Sequence, residues 1–284
     1  MVKIGEINNM AVARKAGFGY FLDAGTGNTS DDILLPNGST EGKQLEEGQK
    51  VDAFIYRDSK DRLIATLRQP LARAHEIAYL KVVSNTSLGA FVDFGLERDI
   101  LVPRREQKYN LDPGNKYLFY LYVDKTGRLA ATTDIDKHLV NSSEYKVGDE
   151  VTGICYGFQT NDSVMVAVDN KFRGVILNNE YYADIKPGYE IKLRVKKLYE
   201  DGKLGLTPRG KGADERLQLE EEILKYLNKH GGKMPYNDKS SPEDIKKVFN
   251  QSKNYFKNAL GGLMKQGLVT QDENGTKLVD KVQP

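Results

Sequence analysis

One segment of this chain occurs three times, and this repeat constrains the fold more than any other feature. Each copy begins at a glycine before a strand-like stretch and ends at a threonine after a polar turn, at 48–66, 114–132 and 188–207. From glycine to threonine the distances are 18, 18 and 19 positions, and the copies start 66 and then 74 residues apart. Such a unit is longer than a solenoid repeat of roughly 20 to 50 residues. The repeat therefore predicts a string of small closed barrels, an arrangement typical of proteins that bind a long ligand.

Each copy consists of short alternating strands between turn signals, which is the pattern of an all-β barrel. Five strands per unit match the OB-fold, a partly open Greek-key barrel that presents one face to oligonucleotides. In the second copy the predicted strands are 81–83, 89–94, 99–103, 117–123 and 128–132. The first copy repeats the pattern at 18–23 and 32–36. We predict three such barrels, at residues 1–68, 69–140 and 141–209.

Composition argues against several other classes of protein. The single cysteine, Cys155, excludes an internal disulfide and a multi-cysteine metal site, and three scattered histidines argue against a zinc site. We therefore expect neither a metal nor another cofactor. No apolar run approaches 18 residues and no basic-then-apolar leader is present, so we expect a soluble, cytoplasmic protein that does not engage a membrane. The net charge of +2 means that a polyanionic partner would have to meet local stripes of charge.

The second copy carries the motifs of a known domain. Residues 89–94 read Gly-Ala-Phe-Val-Asp-Phe, followed by Ile-Leu-Val-Pro and then by Asp-Lys-Thr-Gly-Arg at 124–128. This pattern resembles the S1 RNA-binding domain of ribosomal protein S1 and of many RNA-processing proteins. The resemblance implies two stacking rings, a His after the third strand, and an Asp and an Arg four positions apart in the last turn.

Carried over position by position, the resemblance predicts a set of RNA-contacting residues in the first two copies. These are Phe18, Phe21, Asp58 and Arg62 in the first copy, and Phe91, Asp124 and Arg128 in the second. This chain also departs from the pattern. Leu88 stands where the second copy should have its first ring, and Pro36 and Pro103 stand where the family has His.

Strand alternation tests these rings without reference to any family. Phe91 and Asp93 share one face of their strand, and Phe94 lies on the other. Because the acid marks the solvent side, Phe91 is predicted to be exposed and Phe94 to be in the core. Phe21 repeats the position of Phe91, whereas Phe18 reaches the same face only if a bulge occurs at Gly19. The alternative is that all these rings belong to the core; exposed rings would stack on bases with little regard to sequence.

The third copy replaces rings by charges. Aligned on Asp169, it has Val164 and Ala167 where the stacking rings belong. Its fourth strand alternates apolar with basic residues, so Lys192, Arg194 and Lys196 should form an outer row. Counted from the glycines, Arg194 and Lys196 replace two rings in each earlier copy, which are Phe54 and Tyr56, and Tyr120 and Tyr122. We predict that this row, together with Arg173 and Lys203, binds phosphates without reading bases. The alternative is an ordinary solvated face.

After a linker at 207–213 the hydrophobic period changes from 2 to 3.6. Leu217, Leu219, Ile223, Leu224 and Leu227 predict an amphipathic helix that ends at a pair of glycines, 231–232. Two further helices are predicted, with Ser241 and Ser252 as their N-caps. Short strands at 268–270 and 276–279 follow. Three helices and a β-hairpin predict an α+β winged-helix domain at 210–284.

The third predicted helix bears on the choice between DNA and RNA. Its buried stripe is predicted to be Phe256, Leu260, Leu263 and Met264, and its lysines, Lys253, Lys257 and Lys265, lie mostly off that stripe. In winged helices that read DNA, this helix enters the major groove. The helix contains no arginine, the residue most often used for base-edge contacts. Specific DNA reading is therefore not favoured, and the lysines are predicted to contact RNA.

Three S1-type barrels followed by a winged helix resemble, over nearly the whole chain, the conserved virulence factor B (CvfB-like, YitL-like) family of Gram-positive bacteria. The stretch Ser-Lys-Asn-Tyr-Phe-Lys-Asn-Ala-Leu-Gly-Gly-Leu at 252–263 contributes to this resemblance. It implies a non-catalytic protein that binds single-stranded RNA, such as mRNA, and affects expression of virulence genes. One alternative is a DNA-binding transcriptional regulator that uses the winged helix. An RNA-processing enzyme is a third hypothesis, but no metal-ligand cluster, phosphate-binding loop or Cys–His pair supports it.

Overall fold

The computed structural model describes residues 2–141, 144–181, 184–208 and 212–279, without the side chains of 212–215. These residues form three closed five-stranded barrels and a C-terminal domain of three helices and a small sheet, which confirms the predicted fold class. The first barrel comprises β1 (Ile7–Ala16), β2 (Gly19–Leu22), β3 (Ile33–Pro36), β4 (Lys50–Arg57) and β5 (Leu63–Thr66). The second comprises β6 (Ile77–Asn85), β7 (Gly89–Asp93), β8 (Ile100–Pro103), β9 (Lys116–Val123) and β10 (Leu129–Thr132). The third comprises β11 (Glu150–Phe158), β12 (Val164–Val168), β13 (Phe172–Ile176), β14 (Glu190–Leu198) and β15 (Leu204–Thr207).

All three barrels share one strand order. The first strand pairs with the second and the second with the third, the third runs parallel to the fifth, and the fourth lies between the fifth and the first. Alternate residues of each strand point inward and form the core, as Leu22, Leu35 and Ile55 do in the first barrel. The interior of each barrel is therefore filled by side chains, and a ligand must bind on the outside.

The first strand of every barrel contains one extra residue opposite the second strand. In the first barrel Val12 pairs with Leu22 but Arg14 pairs with Phe21, which leaves Ala13 as the bulge. The predicted bulge at Gly19 is wrong, because the extra residue lies in the partner strand. Phe18 instead occupies the turn before β2. Gly19 has another purpose: a Cβ there would lie 2.3 Å from the carbonyl oxygen of Leu35, so only glycine allows β3 to approach so closely.

The bulge corrects the alignment of the third copy. Phe21 and Phe91 are the residues of the second strand that pair directly beyond this bulge, opposite Arg14 and Ser84. The same position in the third barrel is Met165, opposite Gly157. The positions chosen by aligning on Asp169 are wrong, because Val164 and Ala167 are both fully buried.

A second bulge explains why the third copy is one residue longer. In β14, Val195 pairs with Leu206 but Lys197 pairs with Gly205, so Lys196 is extra. The residue that corresponds to Tyr56 and Tyr122 is therefore Lys197. The alignment that counts residues from the repeated glycine is off by one residue after Val195.

Consecutive barrels dock through one repeated position. Phe54 pairs with Ile7 in the first barrel, and both pack into the core of the second. Tyr120 pairs with Ile77 in the second barrel, and both pack against the third. In the third barrel the corresponding pair is Arg194 opposite Glu150. In the third barrel, which the helical domain follows, a charged pair thus stands where the first two barrels have apolar docking residues.

Polar contacts complete both junctions. Between the first two barrels, Arg57 Nε donates to the Gly127 carbonyl at 3.1 Å, and Arg128 Nε donates to Asp61 Oδ1 at 2.9 Å. Between the second and third barrels, Asp136 Oδ1 accepts from the Tyr156 hydroxyl at 2.6 Å. The relative positions of the barrels thus depend on specific side chains as well as on apolar burial.

The C-terminal domain has the predicted winged-helix plan. It consists of α1 (Gly212–Lys229), β16 (Lys233–Met234), α2 (Pro242–Phe249), α3 (Lys253–Lys265), β17 (Val269–Asp272) and β18 (Gly275–Leu278). The backbone N–H groups of Asp244 and Tyr255 donate to the capping hydroxyls of Ser241 and Ser252. The short strand β16, which pairs with β18, was not predicted because two residues carry no period. The predicted linker at 207–213 lies partly outside the described residues, at 209–211.

Two apolar side chains that were predicted to lie on the buried faces of α1 and α3 are exposed instead. Leu217 is 51% exposed on α1, and Met264 is 46% exposed on α3. Ala259 joins Phe256, Leu260 and Leu263 in the buried stripe of α3. Small residues let α1 and α3 approach closely, since a Cβ at Gly262 would lie 1.9 Å from the carboxylate of Glu220.

Candidate nucleic-acid interface

The four residues predicted in the first barrel line one open cleft of about 710 Å³. Phe18, in the turn before β2, is 62% exposed, and its ring meets that of Phe21 edge to face with centroids 6.0 Å apart. Arg62, at the end of the β4–β5 turn, donates two hydrogen bonds to Asp58 at 2.7 and 2.9 Å. The turn therefore presents a guanidinium beside a pair of aromatic rings.

The two rings of this cleft differ in how much of their surface is available. Phe21 is half-buried, and the Arg14 guanidinium lies 4.0 Å from its centroid. Arg14 is itself held by an ion pair with the buried carboxylate of Asp32. Phe18 is therefore the more accessible stacking surface, while Phe21 supports it and carries a cation on its face.

The charge of Asp58 is stabilised within the turn. Burial acts to raise its pKa, but hydrogen bonds from the Arg62 side chain and from the backbone of Arg62 and Lys60 prevail, so the pKa lies below its usual value. A carboxylate that stays ionised keeps Arg62 in one orientation. The same turn recurs in the second barrel, where Asp124 is held by Thr126 and by the backbone N–H of Arg128. Its pKa is also lowered, because these bonds outweigh its burial.

The residues predicted in the second barrel line a cleft of about 800 Å³, shared with the first barrel. Phe91 is half-buried, and Leu88, which replaces a ring, is 69% exposed at the edge of the cleft. Arg128 does not pair with Asp124 as Arg62 pairs with Asp58, because its nearest carboxylate is Asp61 of the first barrel. The two clefts are thus related but not identical.

Several residues of this second cleft were not predicted from the sequence. Tyr122, Arg98 and Arg105 contribute to its lining, as do Arg57 and Ser59 of the first barrel. In the sequence, Tyr122 stands out only as a ring that a basic residue replaces in the third copy. Arg98 lies in a bend and Arg105 in a short 3-10 helix, neither with a recognisable motif, and the contribution of the first barrel depends on docking.

The third barrel carries a different set of groups at the corresponding turn. The backbone N–H of Tyr199 donates to the Lys203 carbonyl, and the backbone N–H groups of Asp58 and Asp124 make the equivalent hydrogen bond in the other two turns. Tyr199 therefore occupies the position of those acids. The ammonium groups of Lys197 and Lys203 lie 4.9 and 5.7 Å from its ring centroid. Alignment by sequence missed Tyr199 and Lys197 because of the bulge at Lys196.

Other predicted residues of the third barrel are engaged within the protein. Arg173 Nε donates to Asp136 at 3.2 Å, and its Nη1 donates to Asn141 at 3.1 Å, so it holds the segment that joins the second and third barrels. Lys196 Nζ lies 2.6 Å from the buried Glu180 carboxylate. Of the predicted outer row, Lys192 is exposed, Arg194 is half-buried, and Lys196 is exposed but paired.

In the winged helix, Lys257 and Lys265 are exposed on α3. Lys253, at the start of the helix, is half-buried, and its Nζ donates to the carbonyl of Lys239 at 3.4 Å. Two of the three predicted lysines therefore face solvent, and the third also ties α3 to the preceding loop.

Neither a membrane span nor a metal site is found among the residues that the structure describes. In 2–141, 144–181, 184–208 and 212–279, no helix combines the length and apolarity needed to cross a bilayer. Across the same ranges, no group of three or more His, Cys, Asp or Glu residues could hold a metal ion.

Comparison with known proteins gives consistent matches. The model of the S1 domain matches residues 4–68 and 76–134, and the model of the CvfB-like winged helix domain matches residues 221–278. YitL of Bacillus subtilis is 35% identical over 95% of this chain and 92% of its own length. Conserved virulence factor B of Staphylococcus aureus is 26% identical over 98% of this chain and 95% of its own length.

A solved structure extends the similarity to three dimensions. A multidomain protein with nucleic acid binding domains from Streptococcus pneumoniae is 27% identical and superposes with a TM-score of 0.52. The match covers 97% of this chain and 98% of that one. Sequence and structure thus agree on the same order of domains.

Proposed function

The chain belongs to the family of conserved virulence factor B and YitL, and we propose that it acts by binding single-stranded RNA rather than by catalysis. One observation carries the proposal: two neighbouring clefts each combine accessible apolar or aromatic side chains with an arginine on the β-turn beside them. Aromatic rings stack on the faces of bases, and guanidinium groups bind phosphates or stack on aromatic faces. S1 domains in two of the barrels support the same function.

The form of the clefts favours a single strand over a duplex. Phe91 is half-buried within its cleft, and the exposed Phe18 faces Arg62 and Asp58 across the other. A base must leave its stack to reach such a ring, which costs least in single-stranded RNA. The recognition helix α3 offers lysines but no arginine for base edges in a major groove.

The proposal predicts preference for single-stranded RNA over duplex DNA. Binding of a mixed-sequence RNA oligomer and of a DNA duplex of equal length is measured by fluorescence anisotropy at one salt concentration, because phosphate contacts depend strongly on salt. We expect tighter binding of RNA. Tighter binding of duplex DNA would support the alternative, a transcriptional regulator that uses the winged helix.

We further propose that the bound RNA is mRNA and that binding regulates gene expression, including that of virulence genes. Support comes from the family, which includes proteins named conserved virulence factor B. Cross-linking in cells, followed by sequencing of the bound RNA, identifies these targets.

A further inference from the structure

We infer that the first two barrels form one continuous binding track, in which a single RNA strand occupies both clefts at once. The strand would cross from the first cleft to the second over the β4–β5 turn of the first barrel, residues 58–62. The inference rests on the proposed function and adds the path of the ligand and the joint construction of the second cleft.

The two clefts share a wall. Asp58 lines both of them. Three more residues of the first barrel, Tyr56, Arg57 and Ser59, line the cleft whose other residues belong to the second barrel. The second cleft is therefore incomplete without the first barrel, and the two clefts meet at Asp58.

The junction holds the clefts in a fixed relation. Phe54 and Tyr56 are buried in a core cluster with Phe94 and other residues of the second barrel. Arg57 and Arg128 then bond across the junction in opposite directions, to Gly127 and Asp61. Two sites that are fixed before binding avoid the entropic cost of ordering them together.

Both clefts contain acidic as well as basic side chains, and the basic ones along the proposed path are available to bind a phosphate backbone. Arg62 borders the first cleft, while Arg57 and Arg128 lie at the junction. Arg98 and Lys125 are exposed along the second cleft. The acids at the crossing, Asp58 and Asp61, are each paired with an arginine, which reduces their repulsion of phosphates. Aromatic and apolar side chains are present in both clefts for bases.

The test compares two RNA oligomers, of about 5 and about 12 nucleotides. An OB-fold barrel can bind as few as about 4 nucleotides, so the short oligomer suffices for one cleft while the long one can also reach the second. The full chain is titrated with each. A continuous track predicts that the long oligomer binds one per protein and about 10²- to 10⁴-fold more tightly than the short one. Equal affinity for the two lengths, or two long oligomers per protein, would overturn the track and leave RNA binding intact. Absence of binding at both lengths would overturn the proposed function as well.

Variants exclude a length effect that arises elsewhere in the chain. On a continuous track, Phe91→Ala should weaken the 12-mer by at least tenfold and the 5-mer by less than threefold, because the short oligomer still has the first cleft. The same factor for both lengths would indicate independent barrels. Ser59→Glu, on the exposed shared turn, should also weaken the 12-mer selectively. Its matched control is Asn115→Glu, on an exposed turn of the second barrel that lines neither cleft.

Discussion

At the scale of single residues, exposure separates rings that can meet a base from rings that hold the barrel together. Phe18 is largely exposed, Phe21 and Phe91 are half-buried, and Phe94 is 2% exposed in the core. Alternation in β7 had predicted opposite faces for Phe91 and Phe94, and the structure confirms Phe94 as the core ring. Only the half-buried and exposed rings are candidates for stacking.

We predict that Phe18→Ala weakens RNA binding by about 1–3 kcal/mol, the usual contribution of one base–aromatic stack. Since the side chain lies in an exposed turn, the melting temperature should hardly change. Phe94→Ala serves as the control for a core ring, and it should cost about 3–5 kcal/mol of stability. Thermal melts and anisotropy titrations of the two variants separate the roles. A large fall in melting temperature for Phe18→Ala would contradict its assignment as a stacking ring.

At the scale of secondary-structure elements, the β4–β5 turn and its two counterparts show how one backbone motif carries different chemistry. The same hydrogen bond closes each turn, yet the first residue is Asp58, Asp124 or Tyr199. In the first two barrels an acid orients the turn, whereas in the third a ring lies beneath two ammonium groups. The third barrel thus offers a cationic surface at the place where the others offer an arginine.

We predict that Lys197→Ala/Lys203→Ala flattens the salt dependence of RNA binding by the full chain. Each phosphate contact to a single strand contributes about 0.7 to the slope of log K against log salt, so the double variant should lose up to about 2 × 0.7 units. Lys197 is exposed, whereas Lys203 is half-buried beside the Tyr199 ring, so a parallel thermal melt checks that the fold survives. An unchanged slope would mean that these lysines face water and do not contact phosphates.

The originally predicted row serves as the comparison. Lys192→Ala removes an exposed charge and tests a phosphate contact without structural cost. Lys196→Ala is not equivalent, because it removes the ammonium beside the buried Glu180 carboxylate. Removing the cation beside a buried carboxylate is destabilising, so binding data for that variant require a parallel melt.

At the scale of the whole molecule, the barrels form an array whose docking residues recur once per unit. The pairs Ile7–Phe54 and Ile77–Tyr120 dock the next barrel, and Glu150–Arg194 ends the series. Repeat arrays derive stability from each unit and from each interface between neighbours. The junction between the first two barrels should therefore contribute measurably to stability.

We predict that Phe54→Ala lowers the free energy of unfolding by about 3–5 kcal/mol, as is usual for removal of a fully buried phenylalanine. Tyr120→Ala, at the corresponding position of the second junction, should cost less, because its ring is only half-buried. Urea unfolding of both variants tests this order. If Phe54→Ala unfolded like the parent protein, its burial between barrels would contribute nothing.

Local patterns in the sequence determined the elements and their kind. The glycine-to-threonine repeat predicted three five-stranded barrels, and the change of period after Thr207 predicted the winged helix. The resemblance to S1 domains implied that Asp58 and Arg62 lie in a turn beside aromatic residues, and these residues line one cleft. Such features depend on neighbours in the chain, and periodicity and turn chemistry report them directly.

Only the tertiary structure decided the register of the strands and the contacts between barrels. The extra residue Lys196 shifts pairing by one position, and that shift makes Lys197 rather than Lys196 the counterpart of Tyr56 and Tyr122. Pairing next to the bulge of the first strand likewise identifies Met165 as the counterpart of Phe21 and Phe91. A one-residue shift moves a side chain to the opposite face of its strand, which composition cannot reveal. Strand alternation alone would place Phe54 on the outer face of its barrel, and it is buried because a second barrel docks there. Docking depends on residues distant in sequence, so the shared cleft between the first two barrels became visible only once the chain was folded.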